Sequence, residues 1–402
     1  MITVVGGVYR ERCMRPNWQE TYGSGGRAAT AIARLEGQVE LHSYLDADSL
    51  DVMQSRAFLE GFKLIATEVE QGVSFDYTHG LVSPYIHRPT NLYPALKVNA
   101  ERVLRFGMIE STAVVECEYA VYDPQNVANP ESFRANGSKA KHLALILNRY
   151  EAGVMCGTPG AAPEALAKQL AAQEAAEVVV IKMGPMGALV YCAGEVSTVP
   201  AYRTNRVWKI GSGDNFVAQF AFAWMQEGRS PHEAAEVASR ATAFYCENQG
   251  FPNCKRLSEY SPAPLTTSER LRNGSKPKVY LAGPFFTLAQ LWMVREARNN
   301  LRDMGLDVFS PYHDVGRGSA EDVVEKDLEG IRECDLLFAI GDGLDAGTIY
   351  EIGYARALSK PVVVYAENES EEDKKMMEGS DCELSNDYVT AIYKAAWAAA
   401  AL

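Results

Sequence analysis

Two rhythms alternate along this chain. Short apolar runs such as ITVVGG (Ile2–Gly7), VELHSYLD (Val39–Asp46), HLALIL (His142–Leu147) and VVVIKMG (Val178–Gly184) read as strands. Ala-rich stretches with helical spacing lie between them, at Ala28 to Leu35, Pro163 to Ala176 and Phe216 to Met225. MGALVY reads as a returning strand, and residues 60–125 carry short alternating runs, broken by turns, that resolve no further. After Pro277 the alternation restarts. KVYLAGPFF (Lys278–Phe286) is a strand, followed by a helix with Leu288, Leu291, Val294 and Leu301 on one face. DVFSPY, DLLFAI (Asp335–Ile340) and VVVY are further strands, separated by helices over SAEDVVEKDLEGIRECD and after DGLDAGTIYEIGYA. The pattern predicts α/β architecture, with a second, small doubly wound parallel sheet of four strands.

Between the two alternations lies LSEYSPAPLTTSERLRNGSKPK, rich in Ser, Pro, Thr and charge and without sustained periodicity. We expect domains at 1–257 and 277–402 joined by a linker at 258–276, and 402 residues suit two domains. Composition is that of an ordinary globular protein, with 47% hydrophobic and 23% charged residues. The net charge of −13 is uneven, because from Pro277 onward 23 Asp and Glu face 12 Lys and Arg. That balance argues against nucleic acid or an anionic membrane as partner and leaves small polar molecules. Eight scattered cysteines form no CxxC, and the six histidines make no ligand spacing, so no metal site is expected from them. The thiol pattern fits a reducing, cytoplasmic setting. The N-terminus reads as a strand rather than a signal peptide, and no apolar run approaches the about 20 residues that span a bilayer.

Candidate chemistry sits at glycine-rich turns. Gly23, Gly25 and Gly26 read as a loop feeding the helix Ala28 to Leu35, where backbone N–H groups can meet a sugar or phosphate. Asn148 and Glu151 stand at NxxE spacing directly after a strand. Gly211-Ser212-Gly213-Asp214 precedes an apolar helix; Asp214 is placed either to accept a proton from a hydroxyl or simply to cap that helix. In DGLDAGTIYEIGYA, Glu351 reads as a carboxylate near a helix N-terminus, held ionised by the helix dipole and available as a nucleophile. The plainer alternatives are a first-turn helix Glu for Glu351, a solvent-facing helix residue for Asp327 and a core tyrosine for Tyr280.

In their order, the GG strand end, GSGGRAATAIARLEG, NxxE, the GPMGALVY turn and GSGD resemble the ribokinase-like family of carbohydrate and nucleoside kinases, over about residues 1–257. The resemblance implies Asp214 as catalytic base and Gly211, Ser212 and Gly213 as the phosphate-binding turn. It places Asn148 and Glu151 at phosphate and Mg²⁺, and Glu11, Gly25 and Gly26 at the sugar. ATP and Mg²⁺ are the cofactors it implies if this half is active. Two departures stand out. Arg27 occupies the place of an Asn in the early glycine motif, and Trp208-Lys209-Ile210 replaces the usual Asp-Thr-Thr.

YLAGPFF with Thr287 and Gln290, EKDLEGIRECD and DGLDAGTIYEIGYA resemble nucleoside 2-deoxyribosyltransferases across residues 278–402. That resemblance implies Glu351 as the nucleophile at C1′, oriented by Tyr280. Asp327 and Asp345 would face the base. Gly283, Pro284, Phe285, Gln290 and Gly347 would line the substrate, and no cofactor is implied. It also implies a homo-oligomer in which a residue of the C-terminal segment SDCELSND, such as Asn386, completes a neighbouring site. GTIYE also fits the GTxxE of nucleoside 5′-monophosphate hydrolases. The expected function is N-glycosidic cleavage with deoxyribosyl transfer, fused to a sugar or nucleoside kinase-like domain. The alternatives are a monophosphate hydrolase, or a nucleotide-binding sensor with a degenerate kinase half.

Overall fold

The structure is a computed structural model that describes residues 1–126 and 129–402. It divides into two compact units, Met1–Thr204 with Trp208–Pro264, and Asn205–Val207 with Leu265–Leu402. The sequence expected to link them, 258–276, takes in the end of the short helix Cys254–Glu259 and all of the helix Glu269–Arg272.

In the first unit a nine-stranded sheet runs in the order Glu195–Val199, Ala188–Cys192, Val178–Lys182, Lys139–Asn148, Ala113–Asp123, Leu96–Phe106, Ile2–Val5, Val39–Leu45, Lys63–Glu68. All neighbours are parallel except the two pairings at the Glu195–Val199 end. Both faces are buried. Val4, Leu104, Val121 and Ile146 pack on one side, and Val5, Val103, Tyr122 and Leu145 on the other. That double burial is why the central strands read as continuous apolar runs. The unresolved stretch 60–125 contains the two longest strands, Leu96–Phe106 and Ala113–Asp123. Their outer halves are polar, which hid them. A smaller sheet, ordered Trp18–Thr21, Tyr9–Cys13, Val73–Tyr77, Tyr85–His87, carries Glu11.

Gly23, Gly25 and Gly26 are not in a loop. They form the first turn of the helix Gly23–Arg34. A Cβ on Gly25 would lie 2.6 Å from the Gly6 carbonyl oxygen, so this glycine lets the helix start touch the end of the first strand. Residue 26 has more room, since a Cβ there first meets the flexible Met53 side chain at 3.4 Å.

The second unit holds five strands, one more than the pattern predicted. The order is Asp307–Phe309, Lys278–Ala282, Leu336–Ile340, Val362–Tyr365, Glu383–Ser385, all parallel. The added strand is three residues long, partly exposed and edge-placed, too short to show periodicity. The order 2-1-3-4-5 reverses direction between Lys278–Ala282 and Leu336–Ile340, and crevices at the carboxyl ends of such strands bind ligands. Among the described residues, no helix is long and apolar enough to cross a membrane.

Gly25→Ala is expected to lower the thermal midpoint of the first unit by several degrees, because the new methyl has no space. Gly26→Ala is expected to leave it unchanged or raise it, since helical Ala is favoured over Gly by about 1 kcal/mol. Calorimetry on the two variants compares them directly.

Candidate functional site

The carboxylate cluster of the second unit lies at the switch point. Tyr280 projects from the strand Lys278–Ala282 and is fully buried. Its hydroxyl donates to Glu351 Oε1 at 2.6 Å. Glu351 sits on the helix Ala346–Ala357, in its second turn rather than at its start. The helix dipole fades within the first turn, so the expectation that it keeps Glu351 ionised does not hold. Burial instead pushes the Glu351 carboxyl up to about 7; the Tyr280 hydrogen bond opposes this, and the Asp327 and Asp345 carboxylates add to it. Tyr280, Glu351, Asp327 and Asp345 therefore share one electrostatic site.

Asp345 caps the helix. Its Oδ2 accepts from the Thr348 backbone N–H at 2.9 Å and from Thr348 Oγ1 at 3.0 Å. A Cβ on Gly347 would stand 3.1 Å from that same oxygen. Thr348 was not singled out, although Asp-x-x-Thr at a helix start is a readable cap. Asp327, on the helix Ala320–Glu333, has a buried Oδ1 with no hydrogen-bond partner, and burial raises its pKa. An orphaned carboxyl oxygen with a raised pKa is suited to hold a proton.

The GPF turn gathers aromatic rings of its own. Phe285 packs against Tyr312 at 5.5 Å and Phe286 at 5.3 Å. Gly283 follows the strand so closely that a Cβ would meet Ile340 at 3.1 Å, and Pro284 continues the turn. Gln290 Oε1 accepts from the backbone N–H groups of Phe286 and Thr287, both at 3.0 Å. That oxygen closes a capping box at the helix Leu288–Asp303. Asn386 lines a hollow with Ser385, Ala366, Lys374 and Lys394.

The first unit gathers its candidates at the GSGD turn. Gly211, with φ of 76°, caps the helix Ser212–Ala221, so Asp214 is a first-turn residue and not the cap. Asp214 Oδ2 pairs with Arg27 Nη1 at 3.2 Å, and Asp214 Oδ1 accepts from Gln125 Nε2 at 2.5 Å. Arg27 also grips Glu11 through both terminal nitrogens, at 3.0 and 2.6 Å. Glu11 is thereby committed to a protein partner rather than open to a sugar. Asn148 and Glu151 form a reciprocal capping box on the helix Arg149–Met155. Burial, then the neighbouring Asp123, push the Glu151 carboxyl up to about 7, while Lys182 works the other way. Lys182 Nζ lies 2.6 Å from Asp123 Oδ2, and a Cβ on Gly213 would lie 3.7 Å from it. Lys209 donates to Ser212 Oγ at 3.0 Å, and burial lowers its pKa. Sequence reading missed Gln125 and Lys182; nothing local marks either one. Among the described residues, no group of three His, Cys, Asp or Glu is placed to hold a metal ion.

The fold divides into two α/β domains, each with a site at its glycine-rich turns. Residues 131–256 match the pfkB family of carbohydrate kinases, and residues 279–384 match the nucleoside 2-deoxyribosyltransferase family. The chain joins a ribokinase-like domain to a nucleoside 2-deoxyribosyltransferase-family domain. Ribokinase from Thermotoga maritima is similar over 65% of this chain and 98% of its own, at 16% identity and a TM-score of 0.51. Fructokinase from Vibrio cholerae O395, solved with fructose, ADP and calcium ion bound, covers 65% and 99% at 16% identity and 0.50. At those identities the likeness concerns fold alone. An uncharacterized protein of Ureaplasma parvum serovar 3 is 33% identical over 101 residues, spanning 22% of this chain and 64% of that protein.

A raised carboxyl pKa has a stability signature. The Glu351 contribution is fully present below its ordinary value of 4.5 and is lost as pH rises through about 7. Glu351→Gln keeps the uncharged state at every pH. Its thermal midpoint relative to wild type is expected to be higher at pH 8 than at pH 5, by about 2–4 °C per kcal/mol recovered. An advantage independent of pH would mean that the carboxyl is not desolvated.

Proposed function

We propose that the second domain cleaves the N-glycosidic bond of 2-deoxynucleosides and transfers the deoxyribosyl group to another base. The observation that carries this is the 2.6 Å hydrogen bond from the buried Tyr280 to a half-buried Glu351, flanked by Asp327 with an unpartnered oxygen. An ionised Glu351 oxygen attacks C1′. The C1′–N bond breaks, its electron pair leaves on the base nitrogen, and a carboxyl of Asp327 or Asp345 supplies the proton. The nitrogen of an incoming base then attacks C1′, releasing Glu351 and returning the proton to the carboxylate. Water in place of that base gives hydrolysis. Tyr280 orients the nucleophile and favours its charged form. The Phe285 and Tyr312 rings, packed on each other, are of the kind a planar base stacks on. The family match over residues 279–384 supports the substrate class. The first domain's kinship with carbohydrate kinases supports small sugars and nucleosides as what the whole chain handles.

Glu351→Ala is expected to abolish cleavage of deoxynucleosides, read by chromatography of released base. Wild-type activity equal to that of the variant would refute the assignment. Adding a second free base separates transfer from hydrolysis, and parallel reactions with 5′-monophosphates address the hydrolase alternative.

The pH profile gives a second check. Activity needs ionised Glu351, so kcat/KM should fall as pH drops below about 7. Tyr280→Phe removes a bond to the charged form. It is expected to shift that limb to higher pH and to reduce kcat by about 10- to 100-fold.

A further inference from the structure

The GSGD turn of the first domain is filled by the chain's own side chains. A base that takes a hydroxyl proton needs a carboxylate oxygen free to receive it, within about 2.6–3.2 Å of the hydroxyl. Both oxygens of Asp214 already accept from side chains of this chain, one from Arg27 and the other from Gln125. The Arg27 guanidinium is 2% exposed and is anchored from behind by Glu11, itself 4% exposed. It also lies over the turn, so close that a Cβ on Gly211 would fall 2.0 Å from Arg27 Nε. A hydroxyl approaching the Oδ2 side of Asp214 at the turn would meet this guanidinium.

The other end of the turn is occupied in the same manner. Phosphoryl transfer needs a cation to bridge the phosphates. Here the Asp123 carboxylate is neutralised by Lys182 at 2.6 Å, and Asn148 and Glu151 face each other's backbone in a capping box. The carboxylates present do not fit a Mg²⁺ ion, because Lys182 supplies the positive charge that the ion would bring.

We infer that the first domain does not phosphorylate a sugar or nucleoside, and that Arg27, by pairing with Asp214 and Glu11, is the residue that closes the acceptor position. Asp214 is a structural anchor in this arrangement. The ion pairs join the helix Gly23–Arg34, the strand Tyr9–Cys13 and the helix Ser212–Ala221, so they hold the small sheet and both glycine turns to one another. Retention of the domain then rests on binding or on architecture, not on turnover. The inference is independent of the chemistry assigned to Glu351.

The test uses the full chain with ATP and Mg²⁺, and with ribose, 2-deoxyribose, fructose, adenosine and 2-deoxyadenosine as acceptors. ADP release is followed for wild type and Asp214→Asn, and thermal unfolding is measured for both. Acceptor-dependent ADP release is expected to be absent in both proteins, with the thermal midpoint of Asp214→Asn lowered by several degrees. Acceptor-dependent release by wild type that Asp214→Asn removes would overturn the inference. An Asp214→Asn protein as stable as wild type would overturn the anchoring role. Arg27→Lys supplies an independent arm. Lysine cannot span Glu11 and Asp214 with two nitrogens, so this variant is also expected to lose stability, and no loss would count against the closure by Arg27.

Discussion

Removal of water from the Glu351 carboxylate is the constraint around which the second domain is arranged. A carboxylate that leaves water without compensation is costly, and the protein relieves that cost only in part, through one short bond from Tyr280. The remainder appears as a carboxyl pushed up to about 7. Other features follow from it. Tyr280 must lie within reach, which fixes the register of the strand Lys278–Ala282 against Phe309 and Leu337. The helix Ala346–Ala357 must enter with its second turn over that strand, and the Asp345 cap on Thr348 sets where that helix begins. A residue that is both buried and only half compensated is a poor choice for stability and a suitable one for chemistry.

Much of this domain was legible because its signals are local. The three central strands, Lys278–Ala282, Leu336–Ile340 and Val362–Tyr365, are nearly continuous apolar runs, and the order of elements leaves few topologies. Glu351 and Asp345 could be singled out because they follow a glycine-rich turn after the strand Leu336–Ile340, and Asp327 because it sits in EKDLEGIRECD, one of the segments that carry the family resemblance. The direction of the Glu351 pKa shift was not legible. It depends on whether burial or the helix terminus dominates, and that turns on one helical turn of placement and on the enclosure by other segments. Gln290 has a structural role that its spacing already announces. A Gln three residues after Thr287 is a capping signature, and its side chain is committed to backbone N–H groups.

The first domain was legible in fold and much less so in its site. Its glycines read as a loop, but a helix can start on glycines when the chain must approach another backbone closely, as Gly25 does at Gly6. The site depends on pairs far apart in sequence. Gln125 meets Asp214 across 89 positions, and Lys182 meets Asp123 across 59. No spacing rule reaches that distance. Arg27 and Lys209 did announce themselves, each as a long cation where the resemblance implies a small polar or acidic residue.

Arg27 also shows why a motif and a site are different objects. The turn Gly211–Gly213 keeps its left-handed glycine and its helix, so every backbone feature of an anion-binding turn is present. What the turn can do is decided by the charges placed on it. A buried Arg gripped by two carboxylates is not a device for added stability, since such groups often do no better than apolar side chains of the same size. Removing one partner, however, leaves a buried charge uncompensated. Once Arg27 is in place, Glu11 and Asp214 are therefore held there by the cost of leaving it alone. Retention of Asp214 at the GSGD turn follows from Arg27 by itself and does not require that Asp214 ever take a proton.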